Sequence, residues 1–112
     1  MTNKRISLQM RVREALGGQW GYTPRLLDNV FSDLRIGGRK MRGAVQIERY
    51  AREHHLGHTL EDLHIPHTTP AYFIPHPNLE ALIHGLELPI SLQEVERRLE
   101  DLRHPYGPRS RW

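Results

Sequence analysis

The sequence predicts a mainly α, small single-domain fold: five or six short helices with a Pro-rich extended connector. Three observations carry this expectation. Apolar residues recur at helical spacing in five stretches, each with its own start or stop signal. Four prolines from His64 to Pro77 interrupt any helix there. The 112 residues match the size of one domain, and the 38% apolar share suffices for one modest core.

Residues 5–16 carry two periods at once. Ile6, Leu8, Met10 and Val12 alternate with polar residues, which leaves a short N-terminal strand open. Leu8, Val12, Ala15 and Leu16 fit a helical stripe, and the Ala-Leu ending favours the helix. Gly17-Gly18 stops either structure. Thr23-Pro24 reads as a cap followed by proline at the first helical position. Leu26, Leu27, Val30, Phe31 and Leu34 then form one face, and Gly37-Gly38 is expected to end this helix after Ile36. A third helix is expected from about Arg39 to Leu56, stopping at Gly57. Met41, Ala44, Ile47 and Ala51 fall on its inner side, and Arg42, Gln46, Arg49 and Glu53 on its outer side.

Thr59 is expected to open a short helical turn through Leu63. His64 to Pro77 reads as extended, with Ala71-Tyr72-Phe73-Ile74 docked on the core. Asn78 restarts a helix that buries Leu79, Leu82, Ile83 and Leu86, and Pro89 breaks it. Ser91-Leu92-Gln93-Glu94 matches a capping box. The last helix spaces Leu92, Val95, Leu99 and Leu102 as a core stripe or a dimer seam.

Charge divides this single domain, 1–112. Residues 1–52 carry a net +7, residues 53–102 a net −7, and the whole chain +3. The parts are a basic N-terminal half (1–57), a Pro/His-rich connector (58–77), an acidic helical hairpin (78–103) and a loose basic tail (104–112). Such asymmetry points to a polyanionic partner for the basic half.

The candidate site follows from that charge. Arg35, Arg39, Lys40 and Arg42 crowd around Gly37-Gly38, at the expected N-terminus of the third helix. Cations there oppose the helix dipole, so helix stability does not explain them; free backbone N–H groups with nearby Arg and Lys suit a phosphate. Gln46 and Arg49 continue the row, with Arg52 close by. Gln pairs with adenine and Arg with guanine through two hydrogen bonds each. The 23–36 helix, the Gly-Gly turn and the 39–56 helix would supply the two elements of a helix-turn-helix. Lys4-Arg5-Ile6-Ser7-Leu8-Gln9-Met10 resembles the N-terminal strand of ribbon-helix-helix repressors. That resemblance implies a paired ribbon in the major groove, with Arg5, Ser7 and Gln9 facing bases.

Other chemistry has little support. Seven of the eight histidines lie between His54 and His84, but no ligand spacing stands out. They are expected to be surface and connector residues, not a metal site. With no cysteine, thiol catalysis, disulfides and thiolate metal sites are excluded. Neither Gly17-Gly18-Gln19-Trp20-Gly21 nor Gly37-Gly38-Arg39-Lys40 matches a nucleotide fingerprint. The first is expected to be a loop anchored by Trp20 and Tyr22. No catalytic residue and no cofactor is expected.

The expectation is therefore a non-enzymatic, cytoplasmic accessory or regulatory protein that binds nucleic acid, duplex DNA favoured. The alternative is a small adaptor or inhibitor acting through its acidic C-terminal half. Residues 78–103 are the surface for a protein partner or a homodimer. Neither a secretory signal nor a membrane span is read in the chain.

Overall fold

The computed structural model describes residues 8–36, 39–40 and 43–103. Helix α1 spans Leu8–Ala15, strand β1 Gly21–Tyr22 and helix α2 Pro24–Val30. Strands β2 (Arg35–Ile36) and β3 (Arg39–Lys40) precede helix α3 (Ala44–Glu53). Strands β4 (His58–Thr59) and β5 (Tyr72–Pro75) come next. A 3₁₀ turn at His76–Asn78 leads into helix α4 (Leu79–Gly85), and helix α5 (Leu92–Arg103) closes the described chain. Among the described residues, five α-helices agree with the expected count, and two small sheets qualify the mainly α expectation.

Strand β5 organises the molecule. It pairs antiparallel with β1, Gly21 opposite Pro75, and with β4, His58 opposite Phe73. It is thus the central strand of a three-stranded sheet, with all four residues buried. Its alternation divides two cores. Tyr72 and Ile74 join the main cluster, which includes Leu27, Phe31, Ile47, Leu82 and Val95 from α2 to α5. Phe73 joins a smaller cluster of Val12, Leu60 and Ile65. The sheet therefore lies between α2–α5 on one side and α1 with the 60–65 turn on the other. The segment 58–77, expected as an extended connector, contributes two of the three strands. Its 71–74 patch is buried as expected.

At the N-terminus the helical reading of residues 8–15 holds, and the strand alternative does not. Val12 is buried while Leu8 and Met10 stay exposed, which is one stripe and not alternation. Gly17 ends α1 with φ +76°; its N–H bonds the Glu14 carbonyl and that of Gly18 the Arg13 carbonyl. This is the Schellman closure.

Helix α2 begins as expected: the Leu26 N–H donates to Thr23 Oγ1 at 3.1 Å, with Pro24 at the first helical position. It does not reach Ile36. It ends at Val30 and turns through Phe31–Asp33, where the Leu34 N–H bonds the Phe31 carbonyl. Phe31 and Leu34 are buried in that turn, so their apolar spacing did not require a helix. Arg35–Ile36 then leaves as a strand.

Helix α3 starts at Ala44, with Gly43 as its cap, and not at Arg39. Ile47 and Ala51 are buried as expected; Met41 lies outside the described residues. The helix also stops earlier than Gly57. The His55 N–H bonds the Arg52 carbonyl and the Leu56 N–H the Ala51 carbonyl, with His55 at φ +56°. A histidine takes the left-handed position that glycine usually fills. Glu87, at φ +54°, does the same after α4.

Gly57 serves another purpose. A Cβ there would lie 2.4 Å from the Phe73 carbonyl oxygen and 2.6 Å from the Tyr72 ring. Glycine is needed where the chain enters β4 against β5. Gly57→Ala is expected to cost about 1–3 kcal/mol, read by chemical denaturation. Wild-type stability in this variant would disprove the close approach.

Thr59 and Asp62 cap the short turn reciprocally: the Asp62 N–H donates to Thr59 Oγ1 and the Thr59 N–H to Asp62 Oδ2, both at 3.0 Å. Ser91 starts α5 as expected, since its Oγ accepts the Glu94 N–H at 3.1 Å. The Glu94 carboxylate, however, accepts from Arg97 and from Arg98 at 3.0 Å. Arg98 reaches across to α2, donating to the Val30 carbonyl and to Asp33 Oδ1, each at 2.7 Å.

Hydrogen bonds from Arg97, then Arg98, hold the Glu94 carboxyl at about 2, against its ordinary 4.5. A depressed carboxyl contributes stability above its unfolded value and loses it as pH falls through the folded one. Glu94→Gln is therefore expected to flatten the loss of stability between pH 4.5 and about 2. Thermal melts across that range test it; an unchanged acid limb would contradict the assignment.

Candidate functional site

The expected site residues separate into two groups. Arg35, Arg39 and Lys40 lie in the β2–β3 ribbon, with Arg35 opposite Lys40 and Ile36 opposite Arg39. This corrects their placement at a helix N-terminus. The first turn of α3 holds Ala44, Val45 and Gln46 instead, with no cation among them. Gly37 and Gly38 lie outside the described residues. Glycine pairs suit two-residue hairpins as well as helix ends, which is why the sequence permitted the other reading. Arg42 lies outside the described residues.

The second group is on α3. Gln46 and Arg49 are exposed, three residues apart on one helical face. Neither makes a side-chain hydrogen bond or ion pair among the described residues. Glu53 is exposed further along. Arg52 departs from this row. Its guanidinium pairs with Glu48 at 2.7 Å and covers the Tyr72 ring, 4.4 Å from the centroid. It ties α3 to the central strand.

The helix-turn-helix expectation does not hold in its stated form. A β-ribbon, not a Gly-Gly turn, separates α2 from α3. The ribbon-helix-helix resemblance also loses support. Leu8, Gln9 and Met10 are helical, and Lys4 to Ser7 lie outside the described residues.

The structure also assembles a grouping the sequence did not reveal. Tyr22 of β1 hydrogen-bonds His76 Nδ1 through its hydroxyl at 3.0 Å. Nε2 of His76 lies 2.8 Å from Glu96 Oε2 on α5. A carboxylate accepts, so Nε2–H is the donor in the bond to Glu96. This relay borders a cleft of about 320 Å³ that also meets Trp20, Leu99 and Glu100. Each member was visible in the sequence. Their meeting depends on the β1–β5 pairing, which joins residues 54 apart in sequence.

Among the described residues, no group of three or more His, Asp or Glu is placed to hold a metal ion. His54 instead stacks on Tyr50, with ring centroids 4.1 Å apart. No helix among the described residues is long and apolar enough to cross a membrane.

No protein-family model, curated protein or solved structure matches the chain.

Proposed function

We propose that the protein is a non-enzymatic accessory or regulatory factor that binds nucleic acid through the β2–β3 ribbon and the outer row of α3. The observation that carries this reading is the basic ribbon, where Arg35, Arg39 and Lys40 occupy three of four paired positions. A two-stranded ribbon fits the major groove of B-form DNA. The major groove of A-form RNA is too deep and narrow for it, so duplex DNA is the favoured partner. Exposed Gln46 and Arg49 suit contact with base edges or phosphates. The net +7 of residues 1–52 supports electrostatic attraction to the polyanion.

The test is a salt titration of binding to duplex DNA, single strands and RNA. If each replaced cation contacts one phosphate, Arg39→Ala with Lys40→Ala should lower the log–log salt slope on duplex DNA by roughly two. An unchanged slope would remove the ribbon from the interface. Failure to bind any of the three polymers would favour a protein partner for the acidic 78–103 hairpin.

A further inference from the structure

We propose that the Arg98–Asp33 ion pair positions the basic ribbon: α5 holds the chain where it leaves α2, and so sets the direction in which β2 departs. This rests on the nucleic-acid reading of the ribbon, and it gives the acidic C-terminal half a part in that interface.

The pair is built as an anchor. Arg98 lies on α5, and its side chain is 25% exposed. Its Nη1 donates to the Val30 carbonyl and to Asp33 Oδ1, and its Nη2 donates to Asp33 Oδ2 at 3.2 Å. Two bonds to one carboxylate fix its orientation as well as its distance. Val30 is the last residue of α2, so its carbonyl is among those that the helix itself leaves unbonded. One guanidinium therefore caps α2 and grips the turn that follows it. From its own helix, Glu94 Oε2 accepts the Arg98 Nε–H at 3.0 Å and steadies the group.

The place of this anchor gives it its consequence. Asp33 stands two residues before Arg35, where β2 begins. Leu34, between them, is buried in the main core. One residue is seated in the core and its neighbour is tied to α5, so the chain enters the ribbon along a set path. A ribbon set before binding avoids the ordering cost that a loose one would incur on DNA. Attraction to phosphate does not account for Asp33, because a carboxylate beside a basic ribbon opposes it. The bonds to Arg98 do.

The experiment uses the full chain with Asp33→Ala. The Asp33 side chain is 65% exposed, so its removal opens no core cavity. Charge and position predict opposite signs. Loss of a negative charge near the ribbon would tighten binding to duplex DNA, whereas loss of the anchor should weaken it by about tenfold. The log–log salt slope should stay unchanged, since the cations of the ribbon are intact. Arg98→Lys keeps the charge without the forked geometry and should also weaken binding. NMR relaxation without nucleic acid supplies a second measurement. Backbone order parameters at Arg35, Ile36, Arg39 and Lys40 should fall in Asp33→Ala, while those of Ile74 and Val95 hold. Binding by Asp33→Ala as tight as that of the wild type, or unchanged order parameters in the ribbon, would overturn the proposal. A wild-type chain that binds no duplex DNA would remove the nucleic-acid reading instead, and the order parameters would still decide whether the pair holds the ribbon.

Discussion

Phe31→Ala is expected to destabilise the protein by about 3–5 kcal/mol, the largest effect of any single change considered. Phe31 is 0% exposed and sits where α2 turns away from the main core. Its ring belongs to the cluster that joins α2 to α3, α4, α5 and β5. Removing it leaves a cavity in the main core. Domains of this size hold roughly 5–15 kcal/mol in total, so the variant should lie near its unfolding threshold. Urea denaturation measures the loss. Phe31→Leu, which keeps most of the volume, should cost under about 1.5 kcal/mol. A loss below about 1 kcal/mol for Phe31→Ala would mean that the turn repacks freely.

Leu99→Ala is expected to cost about 2–5 kcal/mol without altering the mass in solution. Leu99 is 4% exposed, and Val95, one turn earlier, is 0% exposed. Both face the core. Leu102, which the sequence places on the same stripe, is 51% exposed. Leu102→Ala should therefore change stability by no more than about 0.5 kcal/mol. Sedimentation and thermal melting separate the two possible roles of the stripe. A fall in apparent mass with an unchanged melt in Leu99→Ala would make it a dimer seam.

The contrast between Leu99 and Leu102 indicates what the sequence encodes legibly. Two helix starts were clear because caps are local: Thr23 and Ser91 each bond an N–H three residues ahead; the start of α3, where Gly43 offers no side-chain cap, was misplaced at Arg39. Core residues were clear because apolar side chains must be buried wherever the backbone takes them; Phe31 and Leu34 are inside although α2 stops at Val30. Helix ends were not clear. His55 and Glu87 adopt left-handed angles that sequence reasoning reserves for glycine. Gly57, read as a helix stop, answers instead to the Phe73 carbonyl, a contact between strands. Short strands were hidden for a similar reason. Two-residue strands have no period, and β1 and β4 exist because β5 pairs with them.

The candidate nucleic-acid site was legible as composition but not as shape. Arg35, Arg39 and Lys40 were identified by charge, yet their ribbon depends on Arg35 pairing with Lys40. Arg52 shared that charge and serves a different purpose, because Glu48 and Tyr72 lie within its reach. The cleft beside Tyr22, His76 and Glu96 was not legible at all. It joins a loop, a turn and a helix from distant parts of the chain.

The β1–β5 pairing has a consequence for how the chain comes apart. Charge suggests a boundary near residue 52, but β1 lies on the basic side of it and β5 on the acidic side. Bringing the two together closes a loop of roughly fifty residues, at an entropic cost of about 3.5 kcal/mol. That cost is met only once α2, α3 and the 58–77 segment are all present to be buried with the strands. The electrostatic halves are therefore not folding units. A fragment cut at the charge boundary would lose the central strand and half of the main core, and the basic ribbon would be carried by a chain without a cooperative native state.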